Sequence, residues 1–274
     1  MAPPSHGFHA VFPGRKPLIG TIHLEPLPGA PKYTGASLAG ITVRAVEDAK
    51  RYVAGGIDGL IVENEGDIPF LKPEQIGPET VAALTVATAA VVDAVDVPVG
   101  VFCLANATIP SLAVAKATGA RFIRANQWAN AYIANEGFIE GSAAVALRYR
   151  AAIHAGEVAV LADVHVKHGS HAIVADRSIA ELTHDTEAFG ADALIATGQR
   201  TGDPTTVEDV AQMSKVANRP VLVGSGLNTS NARDLMTVAD GAVVGSAMKE
   251  GGVWWNPVSV ERTRSIVAEV DKVR

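Results

Sequence analysis

The sequence predicts a single-domain (β/α)₈ barrel, and three observations lead there. Short β-rich runs and longer Ala-rich amphipathic runs alternate eight times, the pattern of βαβ units around a parallel sheet. Links from helix to strand are short and rich in Gly or Asp (AGGIDG, ATGAR, AFGAD, VADGA). Links from strand to helix are longer and hold the unusual residues (LEPLPGAPKYTGAS, NEGDIPFLKPEQIGP, QWANAYIANEGFIE, VKHGSHAIVADRS). A barrel sorts these two sets to opposite ends of one axis and concentrates function on the strand-to-helix end. Third, the 274 residues are 48% hydrophobic but only 5% aromatic. A core of Ala, Val, Ile and Leu suits parallel strands covered on both faces. A doubly wound open sheet is the alternative class, but it rarely needs eight regular units without a second domain.

The strands are expected at Leu18–His23, Gly59–Glu63, Val99–Leu104, Phe122–Asn126, Val158–His165, Ala193–Thr197, Val221–Gly224 and Ala242–Gly245. Among the helices between and after them are Val43–Ala54, Glu79–Ala94, Gly141–Ala155 and Val258–Val270. Residues 1–16 read as an N-terminal arm, packed over the bottom of the barrel or against a neighbouring copy, and residues 17–274 as the barrel domain. No low-complexity segment, linker or repeat beyond the βα unit is evident.

The formal charge of −6 argues against nucleic acid or an anionic membrane as the main partner. The single Cys103 excludes an internal disulfide framework and fits a reducing compartment. No apolar run reaches the roughly 18 residues of a membrane span, and MAPPSHGFHAVFPGRKP lacks a secretory pattern. A cytoplasmic protein is the expectation, with homo-oligomerisation.

Polar residues at a spacing of two share one face of a strand. Asp163, His165 and Lys167 do so in LADVHVKH, Arg124 and Asn126 in FIRANQ, His23 and Glu25 in TIHLEP, and Glu63 and Glu65 in LIVENEGD. The apolar Val164 and Val166 then face the helices. Charges directed into a barrel mouth are costly to desolvate and need partners or a ligand. They read either as a buried plug of mutually neutralising groups or as a functional set. On the functional reading, Asp163 and Lys167 meet one ligand, with Glu63 and Arg124 on opposite sides of the cavity.

VLVGSGLNTSNA and AVVGSAMK place Gly-Ser at the ends of the last two strands. Gly224, Ser225, Gly226, Gly245 and Ser246 therefore form a candidate phosphate or flavin-phosphate pocket, because glycine admits close approach and successive N–H groups hold anions. Asn228, Thr229 and Ser230 also read as helix N-caps.

Weaker candidates are Gln199, Arg200 and Thr201, as an anion contact or flap, and Trp128 and Tyr132, as a stacking wall or a cover. Trp254 and Trp255 read as packing the chain's end or an interface. His165, His168 and His171 with Asp163 allow a divalent metal, but the first strand carries His-Leu-Glu rather than the His-x-His of many barrel metallohydrolases. Cys103 reads as structural.

The runs IGTIHLEPLPGAP, GGIDGLIVENEGDIPF, FIRAN with EGFIEG and LRYR, LADVHVKH, ATGQRTG and VGSGLNTSNA together resemble the BtpA/SgcQ family, over roughly residues 17–265. The resemblance implies a barrel related to phosphate-binding barrels. One cyanobacterial member is needed for photosystem I accumulation, and others sit beside sugar-uptake systems. The family-like polar residues are His23, Glu25, Glu63, Asn64, Asp67, Asn106, Arg124, Asn126, Asp163, Lys167, His168, Thr197, Gly198, Ser225 and Gly226. Where the family usually reads Leu-Arg-Asn-Asp, this chain has Leu104-Ala105-Asn106-Ala107, and Gln127-Trp128-Ala129-Asn130 is also unusual. Both departures are expected on the functional face, and with them a different substrate.

The leading expectation is therefore a lyase, isomerase or glycosyl-transfer enzyme acting on a phosphorylated sugar or nucleoside-like metabolite. Asp163, Lys167, Glu63, His165 and His23 are its catalytic candidates. Glu25, Asn64, Asn106, Arg124, Asn126, His168 and Thr197 are its substrate-binding candidates. Lys167 binds an anion or stabilises charge if Asp163 keeps it protonated, or forms a Schiff base if burial frees its amine. The alternatives are a non-catalytic assembly or stability factor and an FMN-dependent oxidoreductase, which would purify coloured.

Overall fold

The computed structural model describes residues 7–198 and 205–274. Eight parallel strands close into a barrel: β1 (Leu18–His23), β2 (Gly59–Glu63), β3 (Val99–Phe102), β4 (Phe122–Ala125), β7 (Ala159–Asp163), β9 (Ala193–Ala196), β10 (Val221–Val223) and β11 (Gly241–Val244). Around the barrel the order is β1-β11-β10-β9-β7-β4-β3-β2. The alternation of strand and helix along the chain thus becomes neighbourhood in space. The outer layer comprises α2 (Leu38–Ala54), α3 (Pro78–Ala94), α4 (Thr108–Thr118), α5 (Ala143–Ala152), α6 (Ile179–Ala188), α7 (Val207–Val216), α8 (Ala232–Val238) and α9 (Val260–Val270).

The first two strands occupy the residues expected, and the others depart by one or two positions, mostly at the mouth. The largest change follows Asp163. After it the chain turns to pair Gly169 and Ser170 (β8) with β5 (Ala131–Ala134), which itself pairs with β6 (Gly137–Glu140). This three-stranded antiparallel sheet was hidden in what reads as two loops. Its alternation is regular: Tyr132 and Ile139 are buried, while their neighbours Ile133 and Phe138 are exposed. Gly137, at φ 102, closes the hairpin in a conformation that favours glycine.

The barrel interior is layered by the two-residue period of its strands. Ile19, Ile61, Phe122, Leu161, Ile195, Leu222 and Val243 form one apolar cluster inside it. Two residues further along these strands come Thr21, Glu63, Arg124 and Asp163, and the lining turns polar. A second apolar cluster, which includes Leu18, Ile22, Leu60, Val62, Val101 and Ala125, lies between strands and helices. Helix α1 (Phe8–Val11) belongs to the interior cluster, with Phe8, Val11 and Phe12 all buried. The Phe12 and Phe122 rings meet at 5.5 Å. A Cβ on Gly59 would lie 2.8 Å from the Phe12 ring, so the strand start is bare where the aromatic enters.

Phe12 should thus hold the barrel floor. Phe12→Ala removes a buried ring from a packed interior and should cost about 3–5 kcal/mol. Urea unfolding should show a lower midpoint with an unchanged slope; an unaltered midpoint would mean that α1 only rests on the surface.

Candidate active site

A cavity of about 460 Å³ opens at the C-terminal ends of the strands. Its base is made by the polar layer. Arg124 on β4 and Asp163 on the adjacent β7 form a two-pronged ion pair, with Nε to Oδ1 at 3.1 Å and Nη2 to Oδ2 at 3.0 Å. The side chains are 5% and 0% exposed. Geometry of this kind suits the planar guanidinium, which cannot give up its proton in such company. Burial alone would lower the Arg124 pKa, but Asp163, Glu63 and Glu65 raise it. Burial pushes the Asp163 carboxyl above the ordinary carboxylate range, and the Arg124 guanidinium opposes that rise.

Asp163 is thus turned to Arg124, and its hydrogen bonds are with that guanidinium rather than with Lys167. Lys167 lies above, lining the same cavity. Burial, then Arg124, lowers its pKa, against the opposing pull of Asp163, Glu65 and Glu63.

On the other side, His23 Nδ1 is 2.9 Å from the carbonyl of Trp254. A carbonyl only accepts, so Nδ1 carries the proton and Nε2 is left as an acceptor. Thr21 Oγ1, at 2.9 Å, donates to Nε2, and Glu63 Oε2 stands 3.6 Å away. Burial and the positive charge of Lys249 push the His23 pKa down to about 3, so the imidazole is neutral. Burial pushes the Glu63 carboxyl up to about 8, against Arg124, so it is a neutral acid at pH 7. Its Oε1 is buried and has no hydrogen-bond partner. Glu65 is likewise pushed up to about 7, mainly by burial. The mouth therefore holds a proton-bearing carboxyl beside a neutral imidazole nitrogen.

Gly224, Ser225, Gly226, Gly245 and Ser246 all line this cavity. The glycines are also demanded by packing. A Cβ on Gly224 would lie 2.3 Å from Ile195 Cγ2. One on Gly245 would come within 2.7 Å of Thr21 Oγ1 and 3.3 Å of His23 Cε1. Only Gly226, at φ 75, sits in the left-handed region. The Ser225 hydroxyl accepts from the Gly198 N–H at 3.1 Å, tying the loops after β9 and β10 together.

Asn126 and His168 also line the cavity, but other expected residues stand elsewhere. His165 does not share a face with Asp163 and Lys167, because the strand ends at Asp163. It stacks on His171, ring centroids 3.7 Å apart, in a side cavity shared with Thr197. Glu25 is half-exposed and pairs with Arg44. Asn64 sits buried behind the wall, accepting from the Leu104 N–H at 2.7 Å and donating to Asp67 at 2.9 Å. Asn106 pairs with the backbone of Gln127 in both directions. These amides brace the loops. Of the departures from the family pattern, Ala105 lines the cavity, whereas Ala107 and Trp128 are core residues.

Trp254, expected to pack the chain's end or an interface, belongs to the site instead. It lines the cavity and packs edge-to-face on His23, centroids 5.6 Å apart. Tyr132, Phe70 and Phe102 join it there. The period-two pattern of β3 places Phe102 inside the barrel, but nothing local in the sequence brings Trp254 back to β1. Cys103 is buried, and burial pushes its thiol up to about 12. Among the described residues, no three His, Cys, Asp or Glu side chains are grouped to hold a metal ion. Gln199, Arg200 and Thr201 lie outside the described residues. No helix among the described residues is long and apolar enough to cross a membrane.

Residues 14–272 match the model of the BtpA family. A Pyrococcus furiosus protein, called uncharacterized, is 42% identical over 254 residues, or 92% of this chain and 94% of that protein. The Photosystem I biogenesis protein BtpA of Synechocystis is 37% identical over 242 residues, or 88% of this chain and 83% of that one. A Caenorhabditis elegans protein called mitochondrial is 37% identical over 265 residues, or 94% and 95% of the two chains. Among solved structures, Mycobacterium tuberculosis tryptophan synthase covers 95% of this chain and 93% of its own, at TM-score 0.58 and 19% identity. Thiamine phosphate pyrophosphorylase of Pyrococcus furiosus covers 94% and 96%, at TM-score 0.54 and 18% identity. At these identities the likeness is one of fold.

Two outcomes follow from the charges. Asp163→Asn strands a buried guanidinium and should cost roughly 3–5 kcal/mol, whatever else the residue does. Arg124→Met added to it should recover part of that loss, and thermal melts of both variants check the coupling. Glu63 supplies the second. From its ordinary 4.5 up to about 8, the folded protein holds a proton that the unfolded chain has released, so stability falls as pH rises through that window. Glu63→Gln should flatten this decline between pH 5 and 8 in urea titrations; an unchanged slope would mean an ionised Glu63.

Proposed function

This chain belongs to the BtpA family, and from the chemistry of its barrel mouth we propose that it is an enzyme using acid–base chemistry on a small phosphorylated metabolite. The observation that carries the reading is Glu63: a buried carboxyl, protonated at neutral pH, with one oxygen unpartnered and the other facing His23 Nε2. A carboxyl tuned this far upward suits a general acid working near pH 7. His23, neutral and with its Nε2 taken up by the Thr21 hydroxyl, adds no positive charge beside Glu63 that would draw the proton off. Glu63 delivers it to an oxygen or carbon of the bound molecule as negative charge builds there. Arg124 and Lys167 stabilise that charge without desolvation cost at the moment of reaction. Asp163 acts through Arg124, as a positioning residue. The Gly224–Asn228 and Gly245–Ala247 segments, at the ends of the seventh and eighth barrel strands, take the phosphate, as such loops often do in this fold. Bond cleavage, isomerisation and glycosyl transfer all need this equipment.

A second reading, a non-catalytic assembly factor, is favoured by the Synechocystis relative, a photosystem I biogenesis protein. A scaffold has no need of a buried acid held neutral beside an imidazole.

The test is a panel of sugar and nucleoside phosphates incubated in deuterated water and followed by proton NMR. Deuterium uptake at carbon or loss of a bond is expected for one class. Glu63→Gln should slow it on the order of 10²–10⁴-fold, and Ser225→Glu should weaken phosphate binding in a folded protein. A wild-type chain that alters none of the panel and binds no inorganic phosphate would return the assembly-factor reading.

A further inference from the structure

The cavity has two chemically different ends. Barrel order places β10 opposite β3 and β11 opposite β4. The Gly-Ser loops after β10 and β11 therefore face the tops of β3 and β4 across the mouth. At the top of β3 stand Phe102, Leu104 and Ala105, all lining the cavity. Phe70, from the loop after β2, packs over the same apolar cluster as Phe102 and Leu104. The guanidinium of Arg124 lies 5.3 Å from the centre of the Phe102 ring. Of the ionisable groups, Arg124 on β4 borders this wall with its guanidinium paired to Asp163, while His23 comes from β1, Glu63 and Glu65 from β2 and just beyond it, and Lys167 from beyond β7.

A molecule spanning the mouth with its phosphate on the glycine loops thus rests its far end on a hydrocarbon and aromatic wall. The hydroxyls of an open or cyclic polyol laid on Phe70, Phe102 and Leu104 would lose water and gain no partner from those side chains. A planar ring loses little, since its faces need none, and flat faces pack well on Phe and Leu side chains.

Resting on the phosphate-ester reading above, we infer that the substrate is a phosphate ester carrying an aromatic or heteroaromatic ring, held against Phe70, Phe102 and Leu104, rather than a simple sugar phosphate. Phe70 is the specificity-determining residue, because it is the partly exposed member of that wall, packed over the interior cluster rather than enclosed in it.

Isothermal titration of the full chain with inorganic phosphate, ribose 5-phosphate and phenyl phosphate separates the possibilities. Phenyl phosphate should bind at least about tenfold tighter than either of the others, as one aromatic stacking contact allows. Phe70→Ala should remove most of that preference and leave inorganic phosphate binding as it was. Phe70→Leu, which keeps the apolar surface but not the ring, should fall between. Equal affinity for phenyl phosphate and ribose 5-phosphate would overturn the ring assignment and leave the phosphate reading standing. A preference that survives Phe70→Ala would overturn the placement of the ring. Failure of all three to bind would overturn the phosphate reading itself, and this inference with it.

Discussion

The two-pronged contact between Arg124 and Asp163 fixes how every other charge in the barrel mouth is disposed. A guanidinium and a carboxyl are enclosed on neighbouring strands, each satisfying the other through paired hydrogen bonds, as burial of such groups requires. With Asp163 committed, Lys167 is left facing Glu63 and Glu65. One ammonium cannot hold two buried carboxyls ionised, and burial pushes both of their pKa values up toward neutrality. The surplus is settled by a proton. His23, kept neutral and with its tautomer fixed by the Trp254 carbonyl, completes a site that is close to neutral yet stocked with a transferable proton. Charge balance and acid–base capacity have the same origin here.

The rest of the barrel supports that arrangement from below and from the sides. Its interior is closed at one end by Phe8, Val11 and Phe12, so the polar layer rests on a packed apolar one rather than on a solvent channel. Asn64 and Asp67 tie the loops after the first three strands together, and Asn106 ties the third loop to the fourth. Gly245 shows how close the tolerances are. A side chain there would collide with Thr21 and His23, so a glycine that reads as an anion-loop residue also protects the proton-holding pair.

Several parts of the site were legible in the residues, and for a shared reason. His23, Glu63, Arg124 and Asp163 stand at strand ends with apolar neighbours at alternate positions, and a strand of known direction then fixes which way they point. Gly224 and Gly245 were legible because Gly-Ser recurs at the ends of the last two strands, where this fold often binds phosphate. His165 was misplaced because period-two reasoning holds only while the strand lasts. The ladder ends at Asp163, where β8 draws the chain into the small antiparallel sheet. Asn64 and Asn106 look like ligand contacts in sequence, but loops crossing one another create backbone N–H groups that must be satisfied, and the amides are spent there.

By itself, then, the sequence determined the barrel, the order of its strands and the charged members of the polar layer. Hydrophobic period and loop length are properties of short stretches of chain and survive without knowledge of neighbours. Tertiary structure alone decided which partner each charge takes, which nitrogen of His23 carries its proton and that Trp254 returns to the first strand. Those outcomes depend on distances between residues as far apart as 23 and 254. Such distances exist only once the sheet closes, and desolvation then sets the charge each group can keep.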